Sequence, residues 1–205
     1  MTAARVWVLR HGESEGNVAN VWTSAHVGYP LTEKGRAQAR AAGESFRERG
    51  GVTALYASRI PRAQQTATEI AEVLAVPVRT LPGVEEFDVG IHEGVHDDDV
   101  APVAAEVFGR WMRDGDLSAG FEGGESGESI VARMRASFDL VADENPDGIS
   151  VVVSHGGAIA IAAPAICGNL TAEVVVGHLL ENCDLVELER DADGWRCVRW
   201  AGLDL

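Results

Sequence analysis

The pair Arg10-His11 follows the apolar run Val6-Trp7-Val8-Leu9, and a second histidine, His155, follows Ile149 to Val153 through Ser154. A third apolar run, Val52 to Tyr56, leads through Ala57 into Ser58, with Arg59 and Arg62 just beyond. The loop after Leu81 adds Glu85 and Glu86. Two imidazoles, several guanidiniums and a carboxylate at the ends of strand-like runs suit phosphoryl transfer. One histidine can take the phosphoryl group covalently, cations can hold its oxygens, and the acid can protonate the leaving oxygen. An ordinary glutamate has a pKa of about 4.3. Acid duty near neutrality therefore needs burial or a neighbouring phosphate.

Elements must bring these residues together. Continuous apolar runs read as strands buried on both faces. Thr32 starts a helix that runs to about Arg49, and Pro61 sits in the first turn of another that runs to about Ala75. A brief strand from Val76 to Leu81 is broken by Pro82-Gly83, and a helix from Glu128 to about Ala142 precedes the Ile149 strand. Another helix follows Gly157, and Leu185–Leu188 and Trp195–Trp200 are strands around Asp193-Gly194. The alternation predicts an α/β fold, a three-layer α/β/α sandwich on a mostly parallel central sheet. In such a sheet ligands sit at the carboxyl ends of the strands, where the chemistry-bearing residues fall. The glycine-rich stretch from about 85 to 125, with a helix from about Val100 to Arg113, reads as an excursion that covers the site. One domain over residues 1–205 is expected.

The 205 residues carry a formal charge of 17 − 32 = −15, which disfavours nucleic acid and anionic membranes as partners. Cys167, Cys183 and Cys197 are odd in number and lack C-x-x-C spacing, so free thiols are expected. The apolar run ending at Leu9 is too short for a signal sequence or a membrane span, and a cytoplasmic protein is expected. Lys34 is the only lysine, a bias that a GC-rich genome would produce.

With these residues in place, the chain resembles the histidine phosphatase superfamily, or phosphoglycerate mutase-like family. Leu9-Arg10-His11-Gly12-Glu13-Ser14 with Asn17 matches its phosphate-binding and nucleophile motif. The segments 30–39, 54–58 with 62–67, 86–94, 123–126 and 153–157 supply further blocks in family order. The resemblance implies that His11 is the nucleophile and that Arg10, Arg62 and His155 hold the phosphoryl oxygens. Asn17 would help line the pocket, and Glu86, rather than the adjacent Glu85, would be the proton donor and then the base for water. Ser58 is expected either to touch phosphate or to cap the following helix. Arg59 departs from the acidic residue common at its place, and Glu13 reads as structural.

Rival readings are weaker. His92-Glu93-Gly94-Val95-His96 spells a zinc hydrolase motif, which needs both histidines on one helical face. Gly90, Gly94 and the flanking valines make poor helix, and His92 and His96 remain candidate substrate contacts; arginines and histidine supply the charge stabilisation, so no metal and no cofactor is expected. Ser126 has no nucleophile elbow, with Gly124 two before it but Glu128 two after. Gly12 and Gly16 have the wrong spacing for a dinucleotide loop. Within the family, mutases are longer and use a lysine and paired arginines around glycerate. Lys34 lies away from the specificity segment, and Arg110 and Arg113 are separated on one helix, which favours a phosphatase over a mutase. The expected partner is a small phosphate monoester, with homodimerisation open. Asp97, Asp98 and Asp99 either face the opening, disfavouring highly anionic substrates, or merely favour a helix start near Val100.

Overall fold

In the computed structural model, which describes residues 3–24 and 28–205, the apolar runs form the centre of one seven-stranded sheet. The strands are β1 (Ala4–Arg10), β2 (Val52–Ala57), β3 (Val78–Thr80), β4 (Ile149–Ser154), β5 (Leu185–Asp191), β6 (Gly194–Trp200) and β7 (Leu203–Asp204). Their order is β3-β2-β4-β1-β5-β6-β7. The first four in that order run parallel, whereas β5, β6 and β7 pair antiparallel, so the sheet is mostly but not wholly parallel. Tight turns at Ala192-Asp193 and Ala201-Gly202 fold the chain directly back from β5 to β6 and from β6 to β7, where parallel neighbours would need a crossover.

Alternating side chains divide the core. Trp7, Leu9, Val151 and Val153 pack with Phe46, Ala63, Ala67 and Ile70 from α2 (Glu33–Arg49) and α3 (Pro61–Leu74). Val6, Val8 and Val152 pack on the opposite face with Ile130, Met134, Phe138 and Ile159, from α5 (Gly127–Glu144) and α6 (Gly156–Ile166). This is the three-layer sandwich that strands apolar on both faces require. Two ion pairs from Arg36 and Arg40 to Glu69, at 2.9 and 2.7 Å, tie α2 to α3.

Register decides where the chemistry lies. Arg10 stands opposite Ser154, and Ala57 opposite Val153, so β1, β2 and β4 end level. His11, His155 and Ser58 each lie one residue past a strand end. The His11 amide donates to the Ser154 carbonyl at 3.0 Å and the Ser58 amide to the Val153 carbonyl at 2.9 Å, which continues the ladder into the site.

Several boundaries differ from the sequence expectation. The strand after α3 is confined to Val78–Thr80. The excursion helix α4 starts at Asp97 rather than near Val100, because His96 caps it, accepting from the Asp98 amide at 3.3 Å. It ends at Phe108 and continues as a π-turn over Gly109–Arg113. Two further short helices have no counterpart in the sequence expectation. Helix α1 (Glu15–Val18) is held by a capping box between Ser14 and Asn17, and α7 (Ala172–Gly177) is capped by Thr171. Cys167, Cys183 and Cys197 are free, and burial pushes all three thiols up to about 12. Among the described residues no helix is long and apolar enough to cross a membrane.

Candidate active site

His11 is buried, and its ring is held in one tautomer. Nδ1 lies 2.8 Å from the Gly12 carbonyl oxygen, so it carries the proton and donates. Nε2 therefore presents its lone pair, to which Arg62 Nε donates at 3.0 Å. Asn182 Nδ2 donates to the His11 carbonyl at 3.0 Å, anchoring the backbone beneath the ring. Burial, reinforced by the positive charge of Arg62, pushes His11 well below the usual histidine value of 6.5, so the imidazole is neutral at pH 7.

The turn carrying His11 depends on two glycines in close approach. A Cβ on Gly12 would lie 2.5 Å from the Gly35 carbonyl oxygen, and one on Gly35 would lie 2.0 Å from the Glu13 carbonyl oxygen. The first turn of α2 thus packs backbone to backbone against the loop. Thr66 secures it from α3, its hydroxyl accepting from the Gly12 amide at 3.0 Å and donating to the Arg62 carbonyl at 2.8 Å. Glu13 is structural, as its sequence suggested: it bonds Thr32 at 2.8 Å and Lys34 at 2.7 Å.

His155 lies against His11, ring centroids 5.1 Å apart and close to edge-on. It too is buried and pushed well below 6.5, first by burial and then by Arg62 and His11. Its Nε2 is 3.0 Å from the Ser58 hydroxyl, which also accepts from the Ile60 amide at 3.2 Å. Ser58 is fully buried, and its hydroxyl orients His155 and holds the Ile60 amide, while α3, entered at Ile60, has no side-chain cap. Both arginines are anchored through carbonyls, Arg10 Nη1 to Leu180 at 2.5 Å and Arg62 Nη2 to Thr23 at 3.0 Å. Burial lowers the pKa of each guanidinium below its ordinary value, while the nearby Glu86 charge raises it. Arg10 Nε and His155 Nδ1 are buried without a hydrogen-bond partner among the described residues.

Glu86 sits at the N-terminus of α6. Its carboxylate accepts from the amides of Phe87 at 3.2 Å, Gly157 at 3.2 Å and Ala158 at 2.7 Å. A Cβ on Gly157 would come within 2.4 Å of Phe87 and 2.9 Å of the Glu86 carboxylate, so glycine there makes this approach possible. Glu85 points elsewhere, in an ion pair with the largely exposed Arg59 at 2.9 Å.

Arg10, His11, Asn17, Arg62 and Glu86 line a cavity of about 730 Å³. Its walls beyond them are largely apolar, with Trp22, Phe87, Val89, Phe108 and Met112. Trp22, Phe87, Phe108, Trp111 and Phe121 make successive ring contacts at centroid distances of 5.4–6.3 Å, which joins the excursion to the site. Asn17 reaches the wall from α1, its Oδ1 accepting from Ser14 at 3.1 Å and from Asn182 at 3.2 Å.

The two other histidines of the excursion are not on that wall. His92 ends a 3-10 turn and meets Phe121 edge-on at 5.8 Å, while His96 caps α4. They do not share a helical face, so the zinc hydrolase geometry is not formed. Sequence reasoning missed Thr66, Asn182, Trp22 and the α7 segment as site builders. Thr66 lies inside a matched motif block, whereas nothing in the local sequence marks the other three.

A family model described as the histidine phosphatase superfamily (branch 1) matches residues 6–202. The chain belongs to that superfamily. Among its relatives is a Yersinia pestis protein (strain Pestoides F) named Probable phosphoglycerate mutase GpmB, 29% identical over 96% of this chain and 89% of that protein. A mycobacterial glucosyl-3-phosphoglycerate phosphatase solved with VO3 is 27% identical with a TM-score of 0.79, covering 98% of this chain and 100% of its own. The alpha-ribazole phosphatase of Shigella flexneri shares the fold, with a TM-score of 0.74 at 22% identity, over 96% and 95% of the two chains.

Proposed function

We propose that this superfamily member is a phosphomonoesterase that works through a phosphohistidine at His11. The observation that carries the reading is the neutral His11 imidazole, its Nε2 lone pair fixed by the Gly12 carbonyl behind it and met by Arg62 in front. A phosphoryl oxygen that takes over the Arg62 Nε hydrogen bond frees that lone pair to face phosphorus. Arg10 Nε, on the cavity wall, and His155 Nδ1, buried off that wall against His11, are donors or potential donors that phosphoryl oxygens would satisfy. Nε2 forms the bond to phosphorus as the ester P–O bond breaks, and the alcohol oxygen takes a proton from Glu86. Glu86, now a carboxylate, takes a proton from water, whose oxygen attacks phosphorus. The P–N bond breaks, releasing inorganic phosphate and restoring His11.

The named mycobacterial phosphatase supports hydrolysis, and the named mutase supports the second reading, return of the phosphoryl group to a substrate hydroxyl. Hydrolysis is favoured by how the cations are used. Arg110 and Arg113 pair with Asp116 and Asp114, and Lys34 pairs with Glu13, so none lines the cavity to hold a glycerate carboxylate. A phosphate-release screen of monoesters, with and without chelator, tests the reading. Chelator-insensitive turnover that disappears in His11→Ala is expected. Undiminished turnover in that variant overturns it, and conversion of 3-phosphoglycerate to 2-phosphoglycerate faster than phosphate release favours the mutase.

A further inference from the structure

The phosphate end and the leaving-group end of the cavity differ in character. Arg10 and Arg62 supply the arginine on the described wall, and both belong to the phosphate end. Away from them the wall is largely apolar, with Trp22, Val89, Phe108 and Met112 beside the neutral polar residues Asn20 and Thr23. It continues outward to Val176 and Leu179, which line the cavity while 58% and 71% exposed, so apolar surface runs from floor to rim. One carboxylate interrupts this wall. Asp97, in the first turn of α4, is fixed by its amide, which donates to the Asn20 carbonyl at 2.9 Å, and by Trp22 Nε1, which donates to its Oδ1 at 2.7 Å. No cation among the described residues forms an ion pair with it. Asp98 and Asp99 are exposed and lie off the cavity wall.

We propose that the substrate is a phosphate monoester of a predominantly apolar, non-anionic alcohol, and that Asp97 rejects leaving groups bearing a carboxylate or a second phosphate. The proposal rests on the phosphomonoesterase reading above. An anionic substituent entering this end gives up water, meets no arginine or lysine on the wall among the described residues beyond the phosphate end, and lies in the field of a fixed carboxylate. An apolar group gains burial against the same surface. The three aspartates thus divide: one faces the opening and two mark the helix start.

Benzyl phosphate and 4-carboxybenzyl phosphate separate the charge from the rest of the leaving group, and 3-phosphoglycerate extends the comparison. The wild-type kcat/KM is expected to favour benzyl phosphate over its carboxylated analogue by about tenfold or more. Asp97→Asn preserves an acceptor for Trp22 and is expected to narrow that ratio by about threefold to tenfold, the effect of removing one nearby charge. Met112→Lys, which adds a cation to the same wall, is expected to narrow it too and covers the case that the first variant is unstable. Wild-type preference for the carboxylated esters would overturn the substrate class while leaving the phosphatase reading intact. An unchanged ratio in a folded Asp97→Asn variant would overturn the role of Asp97. If no ester yields phosphate and no phosphoenzyme forms, the phosphomonoesterase reading falls and this proposal falls with it.

Discussion

At the residue scale, the division of labour proposed for His11 and Glu86 makes separable demands. In Glu86→Gln an alkyl monoester loses its proton donor, and kcat is expected to fall about 10²- to 10⁴-fold. p-Nitrophenyl phosphate needs no such donor, so phosphorylation of His11 is spared while hydrolysis of the phosphoenzyme slows. Stopped-flow absorbance should then show a burst of nitrophenolate close to one per active site, absent in wild type. Equal losses for both esters without a burst would remove Glu86 from the role. These two residues, with Arg10, Arg62 and His155, were legible in the sequence because each lies at or just beyond a strand end or inside a short motif. Ser58 was legible as a site residue but its partner was not: the hydroxyl bonds His155, a contact made across 97 positions of chain. Asn182 and Trp22 reach the site through tertiary packing that no local pattern encodes.

At the scale of elements, the central strands and the helices behind them followed from apolar runs and caps. The short helices α1 and α7 did not, since four and six residues are too few for a periodic signal. The antiparallel edge was visible as two strands around a turn, but not which strand they would join. The approach of α2 to the His11 loop is another feature invisible to propensity, because Gly35 in a helix reads as a weakness. Here a Cβ would collide with the Glu13 backbone. Gly35→Ala is therefore expected to destabilise by about 1–3 kcal/mol despite alanine's better helix propensity. In a chain of this size that lowers Tm by about 2–12 °C. Differential scanning calorimetry checks it, and an unchanged or raised Tm would show that the loop yields without cost.

At the scale of the whole molecule, the charge of −15 surrounds a pocket that keeps two histidines neutral. In the unfolded chain both would take up protons below about pH 6.5. In the fold their values are pushed well below that, so the unfolded state binds more protons and stability rises with pH through this range. The contribution is present above pH 6.5 and is lost as pH falls from there towards the folded values, by about 1.4 kcal/mol per pH unit for each histidine. Urea midpoints should fall between pH 7 and pH 5.5, and inorganic phosphate at fixed concentration should raise the midpoint wherever it binds the folded pocket. A midpoint flat over this interval would mean that the two rings titrate normally in the fold.

The central claim is that His11 Nε2 forms a bond to phosphorus. Rapid acid-free quenching of the enzyme with a phosphorus-labelled monoester, followed by peptide mapping, tests it directly. The account predicts an acid-labile, alkali-stable label on His11, formed as fast as turnover and absent in His11→Ala. Full turnover with no label on His11, or the label on another residue, would contradict it.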